Sequence, residues 1–198
     1  IAYGRGLATY NYASQQYKVY QLEVDVASYD LYLRKNELWV ATFGNGLYQI
    51  KLGEKWSLKN YRHSNDPQSI SSNNVMSIVP IGNDTLALGT YGGGISLFDI
   101  QTGTALNFTE ADGLGNNSVY GIIQDQQKNL WLSTNKGISK WYANRKNVKN
   151  YDLPIQLQSL EFNEDAFLKS RNGTYFFGGV NGVNFFRPEE IIENTLTP

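Results

Sequence analysis

The sequence predicts an all-β fold, a β-propeller whose blades are antiparallel sheets of four strands, and three observations carry that expectation. Glycine turns recur at Gly6, Gly46, Gly94, Gly137 and Gly182, in steps of 40, 48, 43 and 45 residues. The flanking residues keep the same phase. "SISSNNVMSIVPIGNDTLALGT" aligns with "GLGNNSVYGIIQDQQKNLWLST" over its whole length, setting Val75 against Val119, Leu86 against Leu130 and Thr90 against Thr134. Nineteen Gly, 14 Tyr, 9 Phe and 4 Trp against 5 Pro in 198 residues favour strands joined by tight turns. A period in the forties with four strand-like pieces per repeat is the mark of a propeller blade.

The elements follow in order. "AYGRGLATYN" enters partway through a blade, because Tyr3 to Leu7 corresponds to Phe43 to Leu47, so the first two strands of that blade are expected to be missing. "LWVATFGNGLYQI", residues 38 to 50, is a pair of strands folded about Gly44-Asn45-Gly46. The next repeat has an innermost strand at Val75 to Val79 and a second at Thr85 to Thr90; its successor has them at Val119 to Ile123 and Asn129 to Thr134. In each, the glycine turn, a third strand and a more polar outer strand follow. Helical periodicity is nearly missing, with one short turn expected within Pro188 to Asn194.

At about 44 residues per blade the 198 residues hold about four and a half blades. The expected division is 1–26 as the end of a blade, 27–66, 67–112 and 113–156 as blades, and 157–198 as a final blade with the exit to a following module. The second-strand position held by Trp39, Ala87, Trp131 and Phe176 should face a neighbouring blade, and a buried aromatic there contributes about 2–3 kcal/mol. An open arc would leave a sheet face and strand edges uncovered, which invites pairing with another chain.

Seventeen Lys plus Arg against 18 Asp plus Glu give a net charge of −1, so there is no electrostatic case for a nucleic-acid partner or an anionic membrane surface. With no cysteine, disulfides, thiol chemistry and cysteine-ligated zinc are excluded. No apolar run approaches the roughly 18 residues of a membrane span. His63 is the single histidine, in the polar stretch "RHSNDPQS", and no partner for a catalytic triad is marked. Glu161, Glu164 and Asp165 are close in sequence, but glycoside hydrolysis needs two carboxyls facing each other across a substrate. The expectation is therefore no catalytic residue, no metal ligand, no cofactor and no enzyme activity.

Binding has more material. In a propeller the turns between second and third strands open on the same face as the links between blades. The first set supplies Tyr3, Arg5, Phe43, Asn45, Tyr91, Asn135, Lys136 and Asn181 as candidate ligand-binding residues; the second supplies Asn73, Asn74, Asn117, Ser118, Glu164 and Asp165. Aromatic rings beside amides and a cation suit sugars: a ring packs on the apolar C–H face, and Asn, Arg and Lys satisfy hydroxyls or an acidic group. The plainer alternative is that Phe43 and Tyr91 cap the core and the asparagines stabilise turns.

"NELWVATFGNGLYQI", "DTLALGTYGGGISLFD" and "KNLWLSTNKGISKW", each preceded at fixed distance by an innermost strand such as "NNSVYGIIQD", resemble the two-component regulator propeller family. The resemblance covers essentially the whole chain. The last repeat, "EFNEDAFLKSRNGTYFFGGVNGVNFFRPEEI", looks like the variant that closes a propeller before a small β-sandwich module. Ala87 departs from the family's usual Trp, and "RPEEIIENTLTP" replaces the outer strand of the last blade. The resemblance implies part of a larger, seven-bladed propeller: the periplasmic, ligand-sensing segment of a bacterial inner-membrane receptor. Such a receptor recognises a carbohydrate or similar solute and signals to a histidine kinase or a diguanylate cyclase. The implied partners are the remaining blades, the β-sandwich module, a glycan ligand and a second receptor in a dimer. Two alternatives stand beside this: a structural or dimerisation scaffold, and a polysaccharide-active propeller enzyme.

Overall fold

A computed structural model describes residues 2–3, 6–21, 27–53, 56–153 and 157–191. The first sheet holds β1 (Ala2–Tyr3), β2 (Gly6–Asn11) and β3 (Gln16–Gln21). Three four-stranded sheets follow: β4 (Ala27–Arg34) to β7 (Ser57–Tyr61), through β5 (Glu37–Phe43) and β6 (Gly46–Lys51); β8 (Val75–Pro80), β9 (Thr85–Thr90), β10 (Ile95–Asp99) and β11 (Ala105–Phe108); β12 (Val119–Gln124), β13 (Leu130–Thr134), β14 (Gly137–Trp141) and β15 (Val148–Tyr151). The last sheet has three strands, β16 (Phe162–Lys169), β17 (Tyr175–Gly179) and β18 (Gly182–Phe186). Within every sheet the strands run antiparallel in chain order. This is an all-β propeller arrangement. Among the described residues helix is limited to 3-10 turns at Glu110–Asp112 and Pro188–Glu190. The first is closed by a capping box between Thr109 and Asp112 and ends at Gly113, and it escaped the sequence because a single turn of three residues carries no helical periodicity.

Apolar alternation places one face of the second, third and fourth sheets against the sheet that follows. Trp39 and Leu47 meet Val75 and Phe98, with the Trp39 ring 6.0 Å from Tyr61 and edge-on to Phe98 at 5.7 Å. Ala87 lies in the following cluster, where the large ring is Trp141, 4.5 Å from Phe108; bulk missing from one sheet is supplied by the next. Trp131 then packs with Phe162, Tyr175 and Phe177, and its ring lies 5.0 Å from Phe186.

One hydrogen-bonded device repeats. The N–H groups of Gly46, Gly94 and Gly137 donate to the carbonyls of Asn73, Asn117 and Leu160, in the links that lead to the next sheet, at 2.8, 2.7 and 2.7 Å. Thr42, Thr90 and Thr134 donate their hydroxyls to the carbonyls of the same glycines at 2.7, 2.9 and 2.9 Å. A Cβ on these glycines would lie within 2.2 Å of the carbonyl oxygens of Tyr61, Phe108 and Tyr151, so close approach and a positive φ both demand glycine. These bonds gather the turns and links at one end of the arc.

The two ends depart from this plan. Tyr3 pairs with Gly6, so the end of a second strand is present where the sequence led us to expect none. Among the described residues the last sheet has no outer strand, and nothing stands within 4 Å of a Cβ built on Gly182. Phe176 corrects a further expectation. Its counterparts Trp39 and Trp131 are fully buried, but Phe176 is half-buried in a row with exposed Leu168 and Phe185, and no described sheet covers that face.

Candidate functional site: an aromatic row at the channel mouth

Each innermost strand carries an irregularity at the same phase. Ser28 pairs with Thr42 and Asp30 with Ala41, leaving Tyr29 as an extra residue. Met76 is extra between Val75 and Ser77, and Tyr120 between Val119 and Gly121. In β16 the pairs jump from Phe162 with Gly179 to Phe167 with Phe177, which sets Asn163, Glu164 and Asp165 where the earlier strands have one residue. A bulge bends its strand and re-aims the extra side chain. Here the extra residues converge on the end of the arc where the glycine turns gather.

Two bulge residues and two turn residues make a continuous aromatic row. Ring centroids are 6.0 Å apart for Tyr29 and Phe43, 6.3 Å for Phe43 and Tyr91, and 6.3 Å for Tyr91 and Tyr120. Phe43 and Tyr91 are 42% and 43% exposed, whereas Tyr120 is buried. The Tyr120 hydroxyl donates to Asn135 Oδ1 at 2.9 Å, and burial pushes the Tyr29 hydroxyl up, with Glu164 and Asp165 adding to the shift. Residues from the second, third and fourth sheets thus meet in one surface.

Its electrostatics are acidic. Burial pushes the Asp30 carboxyl above its usual range, opposed by the amides of Ile78 and Leu31, which donate to it at 2.8 and 2.7 Å. Burial, then Asp30 and Glu164, push Asp165 up as well. Burial raises the Tyr120 hydroxyl, with Tyr91, Glu164 and Glu161 adding to the shift and Asn135 opposing it. None of Glu161, Glu164 and Asp165 takes part in a salt bridge among the described residues. Arg62 spends its guanidinium on Asn45 Oδ1 and the Gly44 carbonyl, at 3.3 and 3.2 Å.

The sequence-derived candidates divide accordingly. Phe43, Tyr91 and Asn135 join the row, and Glu164 and Asp165 are exposed in the irregular part of β16. Lys136 is exposed in the Asn135 turn. Asn45 is held by Arg62 and Asn60, and the Asn181 N–H donates to Gln158 Oε1 at 2.9 Å; neither is tied to the rings. Asn73, Asn74 and Asn117 accept from the backbone of His63, Gly44 and Glu110, so they fasten turns, and Ser118 is buried. Tyr3 lies in β1 with its side chain outside the described residues, and Arg5 lies outside them altogether. Sequence reasoning passed over Tyr29 and Tyr120, which read as ordinary strand residues. The only available signal was their shared phase with Met76.

Elsewhere the chemistry is structural. His63 Nδ1 lies 2.9 Å from the Ile70 carbonyl. A polar groove of about 420 Å³ lies at the opposite end of the second and third sheets, lined by Arg34, Glu37, Lys51, Lys59 and Gln101 among others. No group of three His, Asp or Glu side chains suited to a metal ion exists among the described residues.

Comparison with known proteins agrees with this architecture. Residues 113–136 match the family described as two component regulator propeller. The chain is 30% identical over 168 residues to Histidine kinase P4 of Formosa agariphila, covering 83% of this chain and 12% of that protein. Among solved structures it is similar to an extracellular domain assigned to the hybrid two component system BT3049 from B. thetaiotaomicron, with a TM-score of 0.58, 23% identity, and coverage of 94% of this chain and 31% of that one. An extracellular domain assigned to the one component system BT4673 of the same organism gives a TM-score of 0.74 at 20% identity, covering 94% and 27%. The WD40 propeller of Doa1 gives 0.61 at 17%, covering 88% and 58%. The chain therefore spans about an eighth of the kinase it matches and under a third of the two extracellular domains. Repeat phase and sheet order make this chain a β-propeller arrangement, and residues 113–136 within it match a two component regulator propeller repeat.

Proposed function

We propose that the chain is the ligand-sensing propeller segment of an extracytoplasmic, membrane-bound bacterial receptor of the two-component type, and that the mouth of its arc takes a carbohydrate. The observation that carries this is the row Tyr29, Phe43, Tyr91 and Tyr120, two of whose rings lie open to solvent, with Asn135 bonded to the last of them. Exposed rings flanked by polar groups match the apolar and hydroxylated faces of a pyranose. The row draws residues from three sheets, so a ligand seated on it would bear on their relative pose. That is what a sensor needs: different affinity for two arrangements. Titration calorimetry with an oligosaccharide panel tests the proposal. Phe43→Ala and Tyr91→Ala should each weaken binding about tenfold, with unfolding curves unchanged. Wild-type affinity in both variants would remove the mouth as the site.

The uncovered face of the last sheet favours a second role in assembly. Leu168, Val183 and Phe185 are exposed and the edge of β18 is unpaired among the described residues, a face suited to a further propeller sheet. Light scattering should find the isolated chain self-associating, and Phe185→Glu should reduce that. A monodisperse wild-type monomer would exclude this role.

A further inference from the structure

We propose that Tyr120 is a positioning residue of the mouth: it holds the Asn135 carboxamide by its oxygen, so that the amide nitrogen donates to the ligand and selects a sugar carrying an acetamido group. This rests on the carbohydrate reading of the mouth and narrows it to one class of sugar. The first ground is phase. Phe43, Tyr91 and Asn135 each follow the threonine of the repeated turn, Thr42, Thr90 and Thr134, so Asn135 holds the place where two earlier turns carry a ring. In the second sheet bulge and turn meet ring to ring, Tyr29 with Phe43 at 6.0 Å. In the fourth they meet through the 2.9 Å hydrogen bond from the Tyr120 hydroxyl to Asn135 Oδ1. The aromatic row therefore ends in an amide, with the Tyr91 ring 6.3 Å from the tyrosine that holds it.

The second ground is what that bond leaves over. Tyr120 is buried and Asn135 is exposed, so one end of the pair is fixed in the protein and the other faces solvent. Asn135 Oδ1 is taken by the tyrosine, and its Nδ2 has no hydrogen-bond partner among the described residues. A free asparagine offers donor and acceptor together, which suits a hydroxyl that needs both. Held by Tyr120, Asn135 turns its donors outward, and their best match is an oxygen that accepts and carries no proton. An acetamido carbonyl is such an oxygen, and its methyl group has the half-open Tyr91 ring to pack on. A carboxylate also accepts, but burial already pushes the Tyr120 hydroxyl up, which marks this end of the row as unfavourable to negative charge.

The test is calorimetric titration of the chain with N-acetylglucosamine, glucose and glucuronic acid oligomers of equal length. The N-acetylated oligomer should bind about fivefold more tightly than the other two. Tyr120→Phe keeps the ring and releases the carboxamide, so it should lower that preference to about twofold or less while the glucose oligomer binds as before. A role in packing alone would not produce that split. Asn135→Asp exchanges the donor for an acceptor and should abolish the preference; both variants are checked for folding by denaturation. If the glucose oligomer binds the wild type as tightly as the N-acetylated one, the acetamido inference fails and the carbohydrate reading stands. Tighter binding of the glucuronic acid oligomer also overturns it, because the charge of Lys136 in the same turn would then read the ligand. A preference that survives Tyr120→Phe removes the positioning role. If no oligomer of any kind binds, both the inference and the carbohydrate reading fall.

Discussion

Asp125 shows how one side chain organises a turn that the sequence marks only as polar. Its carboxylate accepts from the Asn129 N–H and Nδ2 at 2.8 Å each and from Trp131 Nε1 at 3.1 Å, and Asn129 Oδ1 in turn accepts from the Ala143 N–H at 2.9 Å. Asp125, Asn129 and Trp131 are all buried. Asp125→Ala would strand these donors away from water, and denaturant unfolding should show a loss on the order of 3 kcal/mol. Trp39 has no such acceptor, and its Nε1 is buried without a partner, so Trp39→Phe should cost far less than Trp131→Phe. Tyr175 gives a pH dependence. Burial first, then Asp125 and Glu189, push its hydroxyl up to about 12, so the fold favours the neutral form. A group raised above its unfolded value of about 10 contributes fully below that pH and loses its contribution as pH rises through the folded value. Melting temperature should therefore fall between about pH 10 and 12, less steeply in Tyr175→Phe.

At the scale of elements, the repeated glycine turn decides where a sheet meets its neighbour. Gly92 and Gly94 both have positive φ, at 82° and 74°, but a Cβ on Gly92 meets nothing within 4 Å and one on Gly94 would lie 2.1 Å from the Phe108 carbonyl oxygen. Both Ala substitutions carry the left-handed penalty, and only Gly94→Ala forces the outer strand away. It should be the more destabilising by more than about 1 kcal/mol in denaturant unfolding. Such turns were legible in the sequence because the demand for glycine is local. The second strands were legible for the same reason: apolar alternation beside a glycine survives in each copy. The bulges were not, because Tyr29, Met76 and Tyr120 fit an apolar strand pattern and the extra residue shows only in strand pairing. The half-buried state of Phe176 was equally hidden, since whether a sheet face is covered depends on a neighbour and not on the strand itself.

For the whole molecule, the sheets from the second to the last share one packing rule and differ in what each gives to the mouth. The second, third and fourth sheets give rings, the fourth adds Asn135, and the last adds the acids of its long bulge. The residue types at the mouth were half legible: Phe43, Tyr91, Asn135, Glu164 and Asp165 come from turns and links that topology alone brings together. Their union with Tyr29 and Tyr120 required the strand pairing. The measurement that bears most directly on a sensing mouth is an amide NMR map of the chain during titration with the tightest-binding oligosaccharide of the calorimetric panel. Shifts should concentrate around Tyr29, Phe43, Tyr91, Asn135 and Glu164 to Asp165, and be absent at the groove near Arg34 and Lys51. Shifts centred on that groove, or none anywhere at saturating oligomer, would contradict a ligand-sensing mouth.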